Sequence, residues 1–453
     1  MFQKIEFIFI LFLSTGFTSN TFAGWDDHVP VPVNSFANPG DVNDHYNSGG
    51  RRIVRINNTI IVICPHGTGE RTYRSLNNGI SWEEIDQDGA FSGCLITGPG
   101  ETVYHFYRSG DRIYMVRFKY NESPPAPVII YTDQYLSEGG HGAYNMLTAT
   151  VDKDGELYVV THWDNQNTGG GDTLYLIRSN DGGNTWTPAN SAIVIQPGSS
   201  EHSWGYAHLD VSENNKLLCV FSEWGSNSIQ FAHSPDKGAS WSISAIASGS
   251  IFNPAVLPVG DNTIYVFAQS ALPLPVHGLV FNKSIDSGVS WDGWKAIDST
   301  SLSGYADPSP GLGSNGEILV AYRSGARPDL ADVWGGDGCR ERFAVSTDGG
   351  IRWIFPDDYF YDAVGQPTER TGTRSQIRYQ TWFNYGGPLE WIWMQYEDPE
   401  GTNKPIYYDI NTDITMKSHE NEGVIPPTPP PPGGDYSLIS IYLLLLPVLI
   451  QRE

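Results

Sequence analysis

An eight-residue pattern, Ser-x-Asp-x-Gly-x-x-Trp, recurs along this chain of 453 residues and limits its fold more than any other feature. It reads Ser179-Asn-Asp181-Gly-Gly183-Asn-Thr-Trp186, Ser234-Pro-Asp236-Lys-Gly238-Ala-Ser-Trp241, Ser284-Ile-Asp286-Ser-Gly288-Val-Ser-Trp291 and Ser346-Thr-Asp348-Gly-Gly350-Ile-Arg-Trp353. A fifth copy, Ser75-Leu-Asn77-Asn-Gly79-Ile-Ser-Trp82, has Asn in place of Asp. Each copy has the chemistry of a hairpin turn. The Asp or Asn side chain bonds nearby backbone N–H groups, Gly takes a positive φ, and Trp covers apolar surface. A chain with five such turns is a repeat protein built from strands.

The Trp residues are separated by 104, 55, 50 and 62 positions, so one unit between the first two copies lacks the pattern. Its strands are still readable in Thr102–Tyr107 and Tyr114–Phe118. A second set of turns also recurs: Asn57-Asn58, Pro99-Gly100, Asp154-Gly155, Asn214-Asn215, Gly260-Asp261, Asn315-Gly316 and Gly386-Gly387. Two kinds of turn per unit imply four-stranded antiparallel units, each the size of a propeller blade. The expectation is an all-β β-propeller, one domain over residues 24–421, with seven blades favoured and six as the alternative. The segment His28–Asn34 is expected to complete the last blade. The composition agrees, with 14 Trp, 24 Tyr and 19 Phe to fill blade cores and 49 Gly for turns. Val151-Asp-Lys-Asp-Gly155 resembles the start of a calcium loop but lacks its later ligands, and is read as a hairpin turn.

The four-stranded repeat separates two faces. The octapeptides occupy third-to-fourth turns and lie on the same face as the first-to-second turns. Second strands therefore end, and first strands begin, on the opposite face. The second strands close as IVICPHG, YHFYRSG, YVVTHWD, CVFSEWG, YVFAQSA, LVAYRSG and WMQYEDP. In one register these place His66, Arg108, His162, Glu223, Gln269, Arg323 and Glu397, the ring expected around a polar mouth. First-strand starts add Arg51, Arg52, His141, His202, Trp204, Tyr206, Asp307, Arg374, Gln376 and Arg378. Aromatic groups at such a mouth suit the apolar faces of sugars.

The octapeptide resembles the Asp box, or BNR repeat, of the sialidase superfamily, and the resemblance covers most of the chain between its ends. It implies a propeller whose boxes are structural, with an active site on the opposite face. It also implies three arginines that hold a substrate carboxylate, a Tyr nucleophile activated by Glu, and an Asp acid/base. The segment Gly50-Arg-Arg-Ile-Val-Arg-Ile56 resembles the family's first Arg strand and makes Arg52 the first arginine. Asp307 before Arg323 resembles its Glu…Arg pairing, and Trp391–Glu397 its Leu-Tyr-Glu strand. Arg374 or Arg378 supplies the third arginine. Two departures stand out. The loop His66-Gly-Thr-Gly-Glu70-Arg71 has no Asp, and Thr373-Arg-Ser-Gln376 has no Tyr.

Three functions follow as expectations. The first is a sialidase-like glycoside hydrolase acting on an acidic glycan, with Asp307, Glu223, Tyr206 and Glu397 as candidate catalytic groups. Its substrate would be held by Arg52, Arg108, Arg323, Arg374, Arg378, His66, Gln269 and Trp204. The second follows from similarity to Asp-box-like polysaccharide lyases. There His141, His162 and Tyr206 would move the proton beside a uronate carboxylate that Arg neutralises. The third is a propeller that binds glycan or protein without chemistry. No cofactor or metal is expected, since neither a nucleotide-binding Gly loop nor zinc-type Cys or His spacing is present.

Charge and the chain ends narrow the setting. With 27 Lys and Arg against 51 Asp and Glu, the net charge is −24, which argues against nucleic acid or an anionic membrane as the main partner. Residues 1–23 read as a secretory signal: Lys4, the apolar run Phe7–Leu13, then small residues before Gly24. Residues 422–434 hold a Pro-rich linker ending in Gly433-Gly434. Residues 435–453 hold an apolar stretch from Leu438 to Ile450 and then Arg452. That order resembles bacterial Gly-Gly sorting signals, with a plain tail anchor as the alternative. The expected location is the bacterial surface or exterior, with membrane contact through this tail only. Secretion permits disulfides among Cys64, Cys94, Cys219 and Cys339, with three pairings open.

Overall fold

The computed structural model describes residues 31–34, 51–66, 69–88, 91–109, 112–132, 147–163, 173–187, 193–196, 203–224, 228–272, 278–299, 308–325, 339–355, 382–383, 388–394 and 406–417. Contacts divide the chain into two units, Met1–Gly423 and Val424–Glu453. The first is a propeller of antiparallel sheets.

The first strand, β1 (Val31–Asn34), belongs to the last sheet. Sheet I follows as β2 (Ile53–Ile56), β3 (Thr59–His66), β4 (Gly69–Ser75) and β5 (Glu83–Asp88). Sheet II is β6 (Phe91–Gly98), β7 (Thr102–Ser109), β8 (Arg112–Lys119) and β9 (Val128–Thr132). Sheet III is β10 (Leu147–Val151), β11 (Leu157–Trp163), β12 (Thr173–Ser179) and β13 (Ile193–Gln196). Sheet IV is β14 (Ser203–Val211), β15 (Leu217–Trp224), β16 (Ser228–Ser234) and β17 (Ser242–Ala247). Sheet V is β18 (Ile251–Val259), β19 (Thr263–Ser270), β20 (Gly278–Ser284) and β21 (Lys295–Asp298). Sheet VI is β22 (Ser309–Leu312), β23 (Ile318–Gly325) and β24 (Cys339–Ser346). Sheet VII is β25 (Trp382–Phe383), β26 (Pro388–Met394) and β27 (Ile406–Thr415) with β1 on its outer edge.

Six of these sheets are complete four-stranded blades, the number held as the alternative, and sheet VI has three strands among the described residues. The expectation of seven complete blades is corrected on that point. Among the described residues after the box in sheet VI, Ile354 bridges Val345 through two backbone bonds of 2.8 Å. The closing role expected of the N-terminal segment is met, since Val31 pairs Tyr408 and Asn34 pairs Ile406. Six of the seven expected first-to-second turns join the first two strands of sheets I to VI; Gly386-Gly387 lies outside the described residues.

The apolar core lies between neighbouring sheets. Alternation along a strand sends successive side chains to opposite faces, and both faces are covered here. On β7, Val103 and Tyr107 pack with Val54, Ile61 and Ile63 of sheet I, while Tyr104 and Phe106 pack with Leu157 and Val159 of sheet III.

The boxes of sheets III to VI each fasten their sheet to the one before it. Ser Oγ donates to the Asp or Asn Oδ1 at 2.9, 2.8, 2.7, 2.8 and 3.0 Å in boxes 75, 179, 234, 284 and 346. The Gly N–H donates back to Ser Oγ at 2.7–2.9 Å in every copy. The hydroxyls of Thr185, Ser240 and Ser290, then their backbone N–H groups and the box serines, donate to Asp181, Asp236 and Asp286 and hold them down to a pKa of about 2. The Trp then packs outward. Trp186 meets Phe106 of sheet II, Trp291 meets Phe231 of sheet IV, and Trp353 meets Phe267 and Phe281 of sheet V, all edge to face. Gly238 has φ +85, and a Cβ there would sit 2.1 Å from Leu176 of sheet III.

The calcium-like turn is a hairpin turn, as read. Buried Asp152 accepts the N–H groups of Asp154 and Glu156 and the Tyr158 hydroxyl. The cation beside it is Lys237 from the next box, 2.7 Å from Asp154 and 2.8 Å from Glu156. Cys94 and Cys219 are both buried, and Cys219 is a free thiol that takes no part in the pairings left open above.

Candidate functional site

Six of the seven expected ring residues stand at the ends of second strands. His66 is the last residue of β3. Arg108, His162, Glu223 and Gln269 are penultimate in β7, β11, β15 and β19, and Arg323 is third from last in β23. Among these, side chains are described for Arg108, which is buried, and Gln269, which is half-buried. Trp204 and Tyr206 lie in the opening half of β14, at the same end of the propeller. Arg51 and Arg52 immediately precede β2. His141, Asp307, Arg374, Arg378 and Glu397 lie outside the described residues, as do His202 and Gln376.

Backbone register adds a feature that the sequence did not reveal. Phe91 pairs Arg108, Trp204 pairs Glu223, and Phe252 pairs Gln269. In each sheet the ladder then slips, between Phe91 and Cys94, between Gly205 and His208, and between Phe252 and Ala255. Sheets II, IV and V thus each set an aromatic residue opposite a ring residue, just ahead of an irregularity in the inner strand. Bulges of this kind re-aim side chains and recur beside binding sites. Asn253, with φ 53, marks the slip in sheet V.

The first-strand starts are held from several sides. The Arg51 carbonyl accepts the Leu95 N–H of sheet II at 2.7 Å, and the Arg52 carbonyl accepts the Ile63 N–H at 3.0 Å. The Arg51 guanidinium reaches Asp210 of sheet IV, 3.4 Å away, with both side chains buried. Burial lowers the Arg51 pKa to about 10, and Asp210 opposes that fall. Arg51 is therefore engaged with the protein itself. Arg52 is 3% exposed.

Two buried histidines lie near this pair. Burial, then the Arg52 charge, lowers His105 to about 3. Burial lowers His208 to about 4, with Asp210 raising and Arg51 lowering it. His208 Nδ1 accepts the Val256 N–H of sheet V at 3.2 Å, and Thr148 Oγ1 of sheet III accepts the Leu209 N–H at 3.3 Å. Both imidazoles are neutral at ordinary pH. Polar side chains near the axis thus tie inner strands together, and sequence reasoning passed over His105, His208 and Asp210. Their only sequence mark is a polar group inside an apolar strand.

No family model and no curated protein matches the sequence. Solved structures do match. A polysaccharide lyase of family PL25, an ulvan lyase, is 11% identical with a TM-score of 0.55, covering 86% of this chain and 97% of its own. The same kind of enzyme bound to -[GlcA(1-4)Rha3S]- is 10% identical with a TM-score of 0.52 over the same shares. The NanB sialidase of Streptococcus pneumoniae is 10% identical with a TM-score of 0.46, covering 87% of this chain and 94% of its own. The lyase likenesses support the propeller fold.

Proposed function

We propose that the chain is a carbohydrate-active propeller that takes an acidic glycan at the mouth where its second strands end. The observation that carries this is the ring: six sheets bring a large polar residue to the same end, three of them opposite an aromatic partner. With a net charge of −24 around it, an arginine-bearing mouth is where an anionic sugar would be held.

Elimination from a uronate is the reaction these residues favour. His162 near the end of β11 and Tyr206 in the opening half of β14 stand at the same end of neighbouring sheets. A neutral His takes the C5 proton of the uronate, the electron pair forms the C4–C5 double bond, and the C4–O bond breaks. Tyr206 returns a proton to the leaving oxygen, and an arginine neutralises the carboxylate as the C5 proton becomes acidic. The ulvan lyase held with a glucuronate saccharide is a precedent for such a ligand on this fold. The missing Asp in the 66–71 loop and the missing Tyr at 373–376 weigh against hydrolysis by the sialidase route. That second reading keeps one supporting observation, the common end shared by Arg52 and Arg323.

The test is a panel of uronate polymers followed by ultraviolet absorbance of the unsaturated product, run beside a fluorogenic sialoside. Absorbance growth that Tyr206→Phe and His162→Ala abolish supports elimination. Sialoside turnover without it supports hydrolysis. Retention of glycans with neither activity leaves a binding propeller.

A further inference from the structure

Exposed apolar side chains are unevenly spread over the Asp-box face. Two positions of each box point to solvent, the residue after Ser and the residue after Gly. In sheet I these are Leu76 and Ile80, 55% and 74% exposed; in sheet V, Ile285 and Val289, 65% and 81% exposed. In sheet VI they are Thr347 and Ile351, the latter 80% exposed. Sheet III carries Asn180 and Asn184 there, and sheet IV carries Pro235 and Ala239. Five of six positions are apolar in one arc, and none is a large apolar residue in the other.

That arc runs V, VI, VII, I around the propeller, and the last described strand, β27, belongs to sheet VII. Third strands run toward the box face, so β27 delivers the chain there, whereas β1 begins opposite Tyr408, near the other end of β27. After β27, Met416 bridges to Gly313 and the Lys417 N–H donates to the Leu312 carbonyl, beside the first-to-second turn of sheet VI. The Lys417 ammonium contacts Glu213 in the corresponding turn of sheet IV. The chain therefore leaves among the axial turns of this face. Beyond it in sequence come the Pro-rich linker and the apolar stretch Leu438–Ile450.

We propose that this arc of the Asp-box face docks on an uncharged lipid surface, holding the opposite, glycan-facing mouth away from the bilayer. Whether the tail stays in place or is exchanged at Gly433-Gly434, attachment runs through the chain leaving this face. The net charge of −24 selects zwitterionic over anionic lipid. Branched side chains on rigid turns lose little freedom on entering the headgroup boundary, and their apolar area supplies the attraction. The proposal is independent of which reaction the mouth performs.

The test uses the full chain on phosphatidylcholine vesicles. An environment-sensitive dye is attached through Ile80→Cys, Val289→Cys or Ile351→Cys, with Asn184→Cys as the polar-arc control. Labelling of the parent chain sets the background. The expected result is a blue shift with quenching by brominated lipid at 80, 289 and 351, and neither at 184. Dyes that stay in water, equal quenching at 184, or no vesicle binding would each overturn the proposal. So would quenching that requires phosphatidylglycerol. A blue shift that grows with protein concentration without lipid would instead assign the arc to a second copy of the chain. Unchanged thermal melts for all four variants confirm that the readout reports contact and not unfolding.

Discussion

Gly238 and Gly316 share a left-handed backbone, φ +85 and +89, but differ in surroundings. A methyl group at Gly238 would strike Leu176, whereas at Gly316 it meets open space. Gly316→Ala is expected to cost about 1 kcal/mol from backbone strain alone, and Gly238→Ala about 2–4 kcal/mol, read by urea denaturation. Trp291→Ala, which removes the edge contact with Phe231, is expected to destabilise by about 3–5 kcal/mol. Trp291→Phe should cost less, because the buried indole N–H has no hydrogen-bond partner among the described residues. The box aspartates set an acid limit. Their folded pKa values lie near 2, below the ordinary 3.8, so the stability they contribute is present above pH 3.8 and lost as pH falls toward 2. Asp236→Asn should flatten that part of a melting-temperature profile. The box chemistry was legible residue by residue, because Ser, Asp and Gly act within five positions of one another. The sheet that each Trp would cover was not legible, because that partner belongs to the preceding repeat.

Inner strands depend on polar ties as well as apolar packing. His208 of β14 accepts from β18, and its folded pKa of about 4 lies below the ordinary 6.5. Its contribution is full above pH 6.5 and is lost as pH falls toward 4, a window distinct from that of the box aspartates. Thermal melts between pH 7 and 4 should show this loss, and His208→Asn, which keeps an acceptor at the same place, should reduce it. Arg51→Met would leave Asp210 buried without its cation and is expected to destabilise by about 3–5 kcal/mol in chemical denaturation. Strands and first turns were readable from alternation and turn residues, and the ring at the second-strand ends followed from that register. The slips after Phe91, Gly205 and Phe252 were not, because an irregular inner strand keeps an apolar look. Nor was the Arg51–Asp210 pair, whose partners lie 159 positions apart.

At the level of the closed propeller, β1 alone among the described strands is not contributed by its own repeat, and Val31 pairs with Tyr408 across nearly the whole chain. Deleting residues 31–34 exposes the edge of β27 and is expected to lower the melting temperature and yield concentration-dependent aggregates on size exclusion. The propeller was legible because one turn recurs, and the count of complete blades was less so because sheet VI shows only three strands and one bridge among the described residues. The seam at β1 also dictates a timetable. β1 is made before the six sheets that follow it but finds its place only after them, since its partner β27 comes later in sequence. Until β27 is made, the ring stands open with an unpaired edge, so any machinery that moves or modifies this protein meets either an unlatched arc or a finished ring.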